Sequence, residues 1–372
     1  MKKEFLAWLM LGGFFGNTAA QSCKDAEILA MKSKWQFEKN AYYEDQLGMT
    51  ATLASHIFKN TDVYKTLFVT AYPEPFGGQM EGYAKIPDPS VFDIKGHQAY
   101  AYNTSYFGFH CNADKTDIVT DRDFLSGNDA DLQANDLRGV LEDVAGEFEL
   151  NGKPIQVFRL AHALKSPNGL MSFEAFGHDS SVAVLITHDN KLPYRFLTRK
   201  EYLTMIRTYW QKQYQKGLSA SDESEKQILD MIESAKKDYT GDMRDRMLKE
   251  LNSQLEQYRK RKGADQKNLN TGNQLELDSI EYAFAHLSEE ELKKPAIPKA
   301  SDVYRGFITE KEGGNYFVVL DDAYFKKNLP SWAAQTFVLK SYYEKADPGS
   351  LPWVTAIRNK FPFEKLKTLI DK

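Results

Sequence analysis

Apolar residues at Ile28, Met31 and Trp35, then at Leu53, Ile57, Tyr64 and Leu67, recur at helical spacing. They predict a helical region over 24–65, broken near Asn60 to Asp62. Tyr72-Pro73-Glu74-Pro75 ends it, because two prolines remove backbone donors and force an extended chain. The period then changes. Residues 99–111 are rich in Tyr and Phe without a helical repeat and predict one long strand or a hairpin. The acidic run 121–136 reads as a loop. Residues 148–150 and 155–158 flank Asn151-Gly152, a hairpin signal because both residues tolerate positive φ. An apolar run over 182–187 predicts a strand, and Asp189-Asn190-Lys191 the turn after it.

Helix signals follow. Thr198 and Glu201 have the spacing of a capping box, and Leu197 and Tyr202 that of a hydrophobic staple. With Leu203, Ile206 and Trp210 on one face, they predict a helix over 198–216. The highly charged stretch 221–262 carries Ile228, Ile232, Ala235 and Tyr239, then Leu248, Leu251, Leu255 and Tyr258. Within each set the spacing alternates between four and three, close to a heptad. The phase slips near Thr240-Gly241-Asp242, so the chain either turns there as a helical hairpin or continues with a stutter. Residues 263–274, rich in Gly, Asn, Asp, Gln and Lys, read as a flexible linker. A helix over 277–286 follows, and Ser288 and Glu291 cap a short one stopped by Pro295. Residues 303–309 and 316–320 flank Glu312-Gly313-Gly314-Asn315 and predict a hairpin. A strand over 335–343 and short helices over 352–360 and 363–369 complete the chain.

These elements predict an α+β fold: an antiparallel sheet with flanking helices, plus a charged helical insertion, hairpin or coiled-coil-like. The expected division is an N-terminal α+β region 21–216, a helical module and linker 217–300, and a C-terminal segment 301–372 packed against the first. Residues 1–20 stand apart. Lys2 and Lys3 precede an apolar stretch over 5–15 and then Gly16, Asn17, Thr18, Ala19 and Ala20. That order is the pattern of a secretory signal peptide, cleaved after Ala20. The stretch is shorter than the roughly 20 residues a bilayer-spanning helix needs, and no later run reaches that length, so no transmembrane helix is expected in the mature chain. The expected location is periplasmic or extracellular. Cys23 opens an alternative, a lipoprotein anchored through that residue, although Ala20 and Gln21 depart from the usual lipobox. The chain has two cysteines, and Cys23 and Cys111 can instead form one disulfide in an oxidising compartment. The two fates exclude each other.

A formal net charge of −4 gives no basic face for neutralising phosphates, so no nucleic-acid partner is expected. None of the seven histidines pairs at i, i+4, and no His-Glu-x-x-His occurs. His110 beside Cys111 supplies only two metal ligands. Gly177-His178-Asp179-Ser180-Ser181 holds triad residue types too close together to form a triad, and there is no Gly-x-Ser-x-Gly elbow. Asp114, Asp117, Asp121, Asp123, Asp129, Asp131 and Asp136 could offer oxygens to calcium, but Ala134 stands where an EF-hand loop requires glycine. No catalytic residue, cofactor or metal is therefore assigned. Aromatic residues make up 13% of the chain, enough to fill a core and leave rings for binding. Tyr100, Tyr102 and Tyr106 are the candidate ligand surface, a stacking platform for sugars, with burial in a sheet core as the competing reading. Trp332 and Trp353 are weaker versions of the same idea.

The run Leu192-Pro193-Tyr194-Arg195-Phe196-Leu197-Thr198-Arg199-Lys200-Glu201-Tyr202-Leu203 resembles a recurrent segment of uncharacterised secreted bacterial proteins. The stretch 322–329, ahead of Gln335, is similar to the same group. The resemblance implies export and a mixed α+β fold, and no activity. The expected function is an exported cell-envelope protein that binds a partner without catalysis, either a protein through the 221–262 helices or a glycan. The alternative is a carboxylate-dependent hydrolase acting on an envelope or extracellular glycan.

Overall fold

In a computed structural model, the described residues are 24–38, 49–115, 117–120, 128–166, 169–175, 180–345 and 349–372. The segment 1–20, Cys23, Asp121, Asp123, His178 and Asp179 lie outside them. The fold is α+β, built from two antiparallel sheets flanked by helices and carrying a long charged helical hairpin.

Alternation along the strands decides the layering. In β13 (Thr336–Tyr342), Phe337 and Leu339 face one core while Val338 faces another. In β10 (Val182–Thr187), Val184 and Ile186 join the first core, and Ala183 and Leu185 the second. In β12 (Phe317–Leu320), Val318 faces that second core, whereas Phe317 and Val319 face a third. A strand that buries both faces must be covered on both, so the molecule stacks as helix, sheet, sheet, helix. The outer helices on one side are α2 (Ala51–Ala71), α6 (Ser350–Lys360) and α7 (Phe363–Lys367). On the other side lie the bases of α3 (Arg199–Asp238) and α4 (Gly241–His286), with α5 (Glu289–Lys293).

The larger sheet contains β1 (Trp35–Phe37), β2 (Gly78–Lys85), β3 (Tyr100–Cys111), β5 (Asp129–Ala134), β13, β10, β9 (Met171–Glu174) and β8 (Ala163–Leu164), in that spatial order. Off this path, β4 (Ile118–Thr120) pairs with β3. The smaller sheet runs β11 (Tyr194–Phe196), β12, β7 (Lys153–Leu160) and β6 (Leu141–Leu150). Among the described residues every strand pair is antiparallel except β1 with β2. The β6–β7 turn has Asn151 at φ 53° and Gly152 at φ 76°, the two left-handed residues that the dipeptide predicts.

Four local expectations are corrected. The region 24–65 is not one helix: only α1 (Asp25–Leu29) and α2 are helical, and Trp35 enters β1. The backbone N–H of Ser33 donates to Pro75 O at 2.8 Å and Trp35 Nε1 to Tyr72 O at 2.8 Å, which draws the segment onto the edge of the sheet. Asn60 does not interrupt α2; its Nδ2 donates to Tyr100 Oη at 2.9 Å. The acidic stretch is not wholly a loop, because Asp129–Ala134 is an interior strand. Ala130, Leu132 and Ala134 form its core face, and the aspartates alternate with them. Residues 303–309 do not pair with 316–320. Instead β12 pairs with β11 and β7, and Glu310–Glu312 is a 3-10 turn ending at Gly313, φ 81°. Gly314 is held so close that a Cβ there would lie 2.4 Å from Ile297 Cγ2.

The fourth correction concerns the hairpin. Helix α3 runs for 40 residues without a break at 216, and α4 runs for 46 residues straight through the expected linker 263–274. At a rise of 1.5 Å per residue they are roughly 60 and 70 Å long. The chain reverses at Thr240-Gly241, with Gly241 at φ 62°. Near the base, Tyr202, Leu203, Ile206, Ile280 and Ala283 pack on Phe148, Val157 and Phe317. Near the tip, Ile232 and Ala235 meet Leu251 and Leu255, so the heptad-like stripe is buried between the two helices. Between these clusters Lys262 bridges Asp222 at 2.8 Å and Glu225 at 2.7 Å, and Arg259 reaches Glu225 at 2.7 Å. Two packed ends hold the glycine- and asparagine-rich middle helical against its weak intrinsic propensity.

The start of α3 matches its signal. Thr198 Oγ1 accepts from Glu201 N at 3.1 Å, and Glu201 Oε2 accepts from Thr198 N at 2.9 Å. Leu197 and Tyr202 are both fully buried beside it. Thr198→Ala is expected to cost about 1 kcal/mol in urea denaturation. A loss below measurement error would show that α3 is held by its base packing alone.

Candidate functional site

The apolar contact between the sheets ends at β13. Val338, Ala183, Leu185 and Phe173 are packed against the smaller sheet, but the same face of β2, β3 and β5 contributes nothing to that core. Strand register shows what stands there instead. One row across the strands reads Glu81, Ser105, Asp129, Tyr342. The next reads Tyr83, Asn103, Asp131, Lys340. A third begins Lys85, Ala101, Gln133 before reaching the apolar Val338. Side chains directly opposite on neighbouring strands lie about 5 Å apart, so these residues form one continuous polar surface.

The carboxyls of this surface are electrostatically unusual. Asp129 and Asp131 are two residues apart on one strand, so they point the same way about 7 Å from each other. Burial pushes Asp129 up to about 6, against a hydrogen bond with Ser105, and the neighbouring Asp131 charge adds to the rise. Burial also raises Asp131, opposed by the Lys340 and Lys85 ammonium groups. Lys340 Nζ sits 3.7 Å from Asp131 Oδ2. A Cβ on Gly139 (φ 92°) would lie 3.1 Å from Lys340 Cδ and 3.3 Å from Ala183 Cβ, so the loop after β5 presses on the lysine stem. Asn103 Oδ1 and Gln133 Oε1 are sealed from water and accept no hydrogen bond among the described residues.

The arrangement is rich in acceptors: the Glu81, Asp129 and Asp131 carboxyls and two amide oxygens, with the Lys340 and Lys85 ammonium groups beside them. Asp129 keeps its proton to a higher pH than an ordinary carboxyl does. Such a surface matches a ligand rich in O–H or N–H donors. Among the described residues no group of three His, Cys, Asp or Glu side chains converges as a metal-ligand set.

The predicted platform lies elsewhere. Tyr100, Tyr102 and Tyr106 are 0%, 4% and 0% exposed and face α2 and α6 through the core, so they offer no surface to a sugar. Tyr100 Oη donates to Trp332 O at 3.0 Å, and Tyr106 stacks on Trp353 with ring centroids 6.1 Å apart. The physical reason is the period of two: the even-numbered face of β3 is buried from Tyr100 to Tyr106. Sequence reasoning missed the odd-numbered face, Asn103 and Ser105, whose signal is the polar half of the same alternation. Trp353 is fully buried, and Trp332 is half-buried with its ring on His56 at 4.0 Å. Asp136 is buried and bound by Arg138 at 2.8 Å, away from any calcium-like cluster. Asp114, Asp117 and His110 are exposed, while Ser181 is buried. Cys111 ends β3, against which α1 packs. No helix among the described residues is long and apolar enough to cross a membrane.

Compared with protein-family models, curated proteins and solved structures, the chain matches none of them.

Proposed function

We propose that this is an exported cell-envelope protein that binds a glycan, without catalysis, on the polar half of the larger sheet. The observation that carries the reading is the composition of β5. An interior strand puts two carboxyls on a half-buried face beside two amide oxygens that lack donors. Such groups cost stability, and natural folds break local rules of this kind mainly at functional positions. Sugar hydroxyls would donate to the Asp129 and Asp131 carboxyls, and Lys340 would donate to a sugar oxygen in return.

Export rests on the basic, apolar and small-residue order at the N-terminus. A Cys23–Cys111 disulfide fits with it. Cys111 is not a free thiol, and α1, which begins two residues after Cys23, packs on the strand that ends in Cys111. Intact-mass measurement of the exported chain, before and after reduction, checks this. A gain of two hydrogens on reduction is expected, whereas a lipid adduct on Cys23 would replace the disulfide by the lipoprotein anchor.

The binding test is a thermal-shift panel of oligosaccharides on the full exported chain and on its Asp129→Asn and Asp131→Asn variants. A glycan at about 100 times its dissociation constant stabilises by roughly 2.7 kcal/mol. The expected result is a shift of several degrees in the parent that both variants lose. No shift with any glycan, or the same shift in all three proteins, overturns the assignment. A second reading has its own observation, a carboxyl near 6 beside another carboxyl, the pattern of a general acid and its partner. A hydrolase of this type releases new reducing ends from the bound glycan, at a rate that falls as pH rises above about 6. Binding without release rejects it.

A further inference from the structure

The two central carboxyls of the polar face are not equivalent, and the difference bears on which glycan fits, given the glycan reading. Asp131 has cations of its own. Lys340 Nζ lies 3.7 Å from its Oδ2, and the Lys85 ammonium also acts on it. Asp129 is half-buried on the same side of β5 and forms no ion pair among the described residues. The charges that act on it are the like-signed Asp131 and, more weakly, Lys340. Burial and Asp131 raise it only to about 6, so at neutral pH it is mostly ionised. The Ser105 hydroxyl donates to it, which among the described residues leaves most of its roughly four acceptor positions open.

The surroundings suit a sugar ring. Register sets Ser105 of β3 directly opposite Asp129 on one side and Tyr342 of β13 directly opposite on the other, with Tyr83 in the next row. Both tyrosines are half-buried, so part of each ring is open to the face of a sugar. Donors are short elsewhere on this face as well. Gln133 is 8% exposed, and its Oε1 finds no donor among the described residues.

We propose that the glycan bound here is an amino sugar with a free amine, its ammonium seated on Asp129 between Ser105 and Tyr342. An ammonium brings a full charge and three donors to a carboxylate that has no cation of its own. A hydroxyl in its place brings one donor and no charge. An N-acetyl group brings one donor and a carbonyl, a further acceptor on a surface already rich in them.

The test is calorimetric titration of the full exported chain, near neutral pH, with chitosan, cellulose and chitin oligosaccharides. These share one backbone and carry an amine, a hydroxyl or an N-acetyl group at the same ring position. The amine form is expected to bind at least about tenfold tighter than either of the others. Asp129→Asn should remove that preference, with its melting temperature read alongside to exclude a folding defect. Added salt should weaken the amine form far more than the other two. Equal or tighter binding of the hydroxyl or N-acetyl form overturns the inference and leaves the glycan reading standing. So does an amine preference that a folded Asp129→Asn variant retains. Binding by none of the three overturns it too, and the wider oligosaccharide panel then decides the glycan reading separately. A linear polyamine that binds as tightly as the amine oligosaccharide overturns both, because charge alone would then suffice.

Discussion

Trp353→Ala is expected to lower the unfolding free energy by about 3–5 kcal/mol. Trp353 is completely buried on α6, and its ring stacks on Tyr106 at an interplanar angle of 16°. It stands in the core that joins α2, α6 and α7 to the larger sheet, so truncation opens a cavity that rigid neighbours cannot fill. The indole Nε1 is also buried and finds no acceptor among the described residues. Trp353→Phe removes that orphan donor along with part of the ring, and it should cost clearly less than the alanine variant. Urea denaturation of both variants checks this through the midpoint at constant slope. Equal losses would mean that the cost does not follow the volume removed, against the cavity account.

The second large effect is a pH dependence centred on Asp129. Its folded carboxyl titrates at about 6, above the ordinary value of about 3.9 in an unfolded chain. Between these values the native state holds more proton than the unfolded state. Stability therefore falls as pH rises from about 4 to about 6, and levels off above it. At neutral pH the ionised Asp129 costs roughly 2–3 kcal/mol. Asp129→Asn should restore about that much at pH 7 and flatten the slope in the window. Asp131→Asn acts differently, because it removes the carboxylate that lies 3.7 Å from the Lys340 ammonium. Unfolding curves at the two ends of the window separate the variants. A parent protein whose stability is flat between about pH 4 and about pH 6 would remove the electrostatic case for the site. If the slope is found, the fold retains a destabilising carboxyl at the surface assigned to the glycan, as expected where function outweighs stability.

Local chemistry was the legible part of this fold. The Asn151-Gly152 turn, the Thr198–Glu201 capping box, the Ser288 cap and the β10 run each act over a few residues, and each appears where the sequence places it. Failures arose where distant segments decide. The acid count of 129–136 hides an alternation that has meaning only once β3 and β13 flank it. The stretch 263–274 is helical because α3 lies alongside, which its own residues cannot announce. Residues 316–320 find their partner in β7, far back in the chain, so the nearby Gly313-Gly314 serves a turn and a tight contact instead of a hairpin. The candidate site is the extreme case. Asn103, Ser105, Asp129 and Asp131 become one surface only through strand register, and it stays polar only because the smaller sheet stops at β13.

The order of strands also sets when folding can finish. The smaller sheet takes β12 between β11 and β7, and the larger takes β13 between β5 and β10. Both inserted strands come from the C-terminal end of the chain. Until residues 317–342 leave the ribosome, β7, β11, β5 and β10 each hold an open edge, and neither layer can close over its core. Loss of these two strands is therefore expected to yield an aggregating fragment instead of a smaller domain.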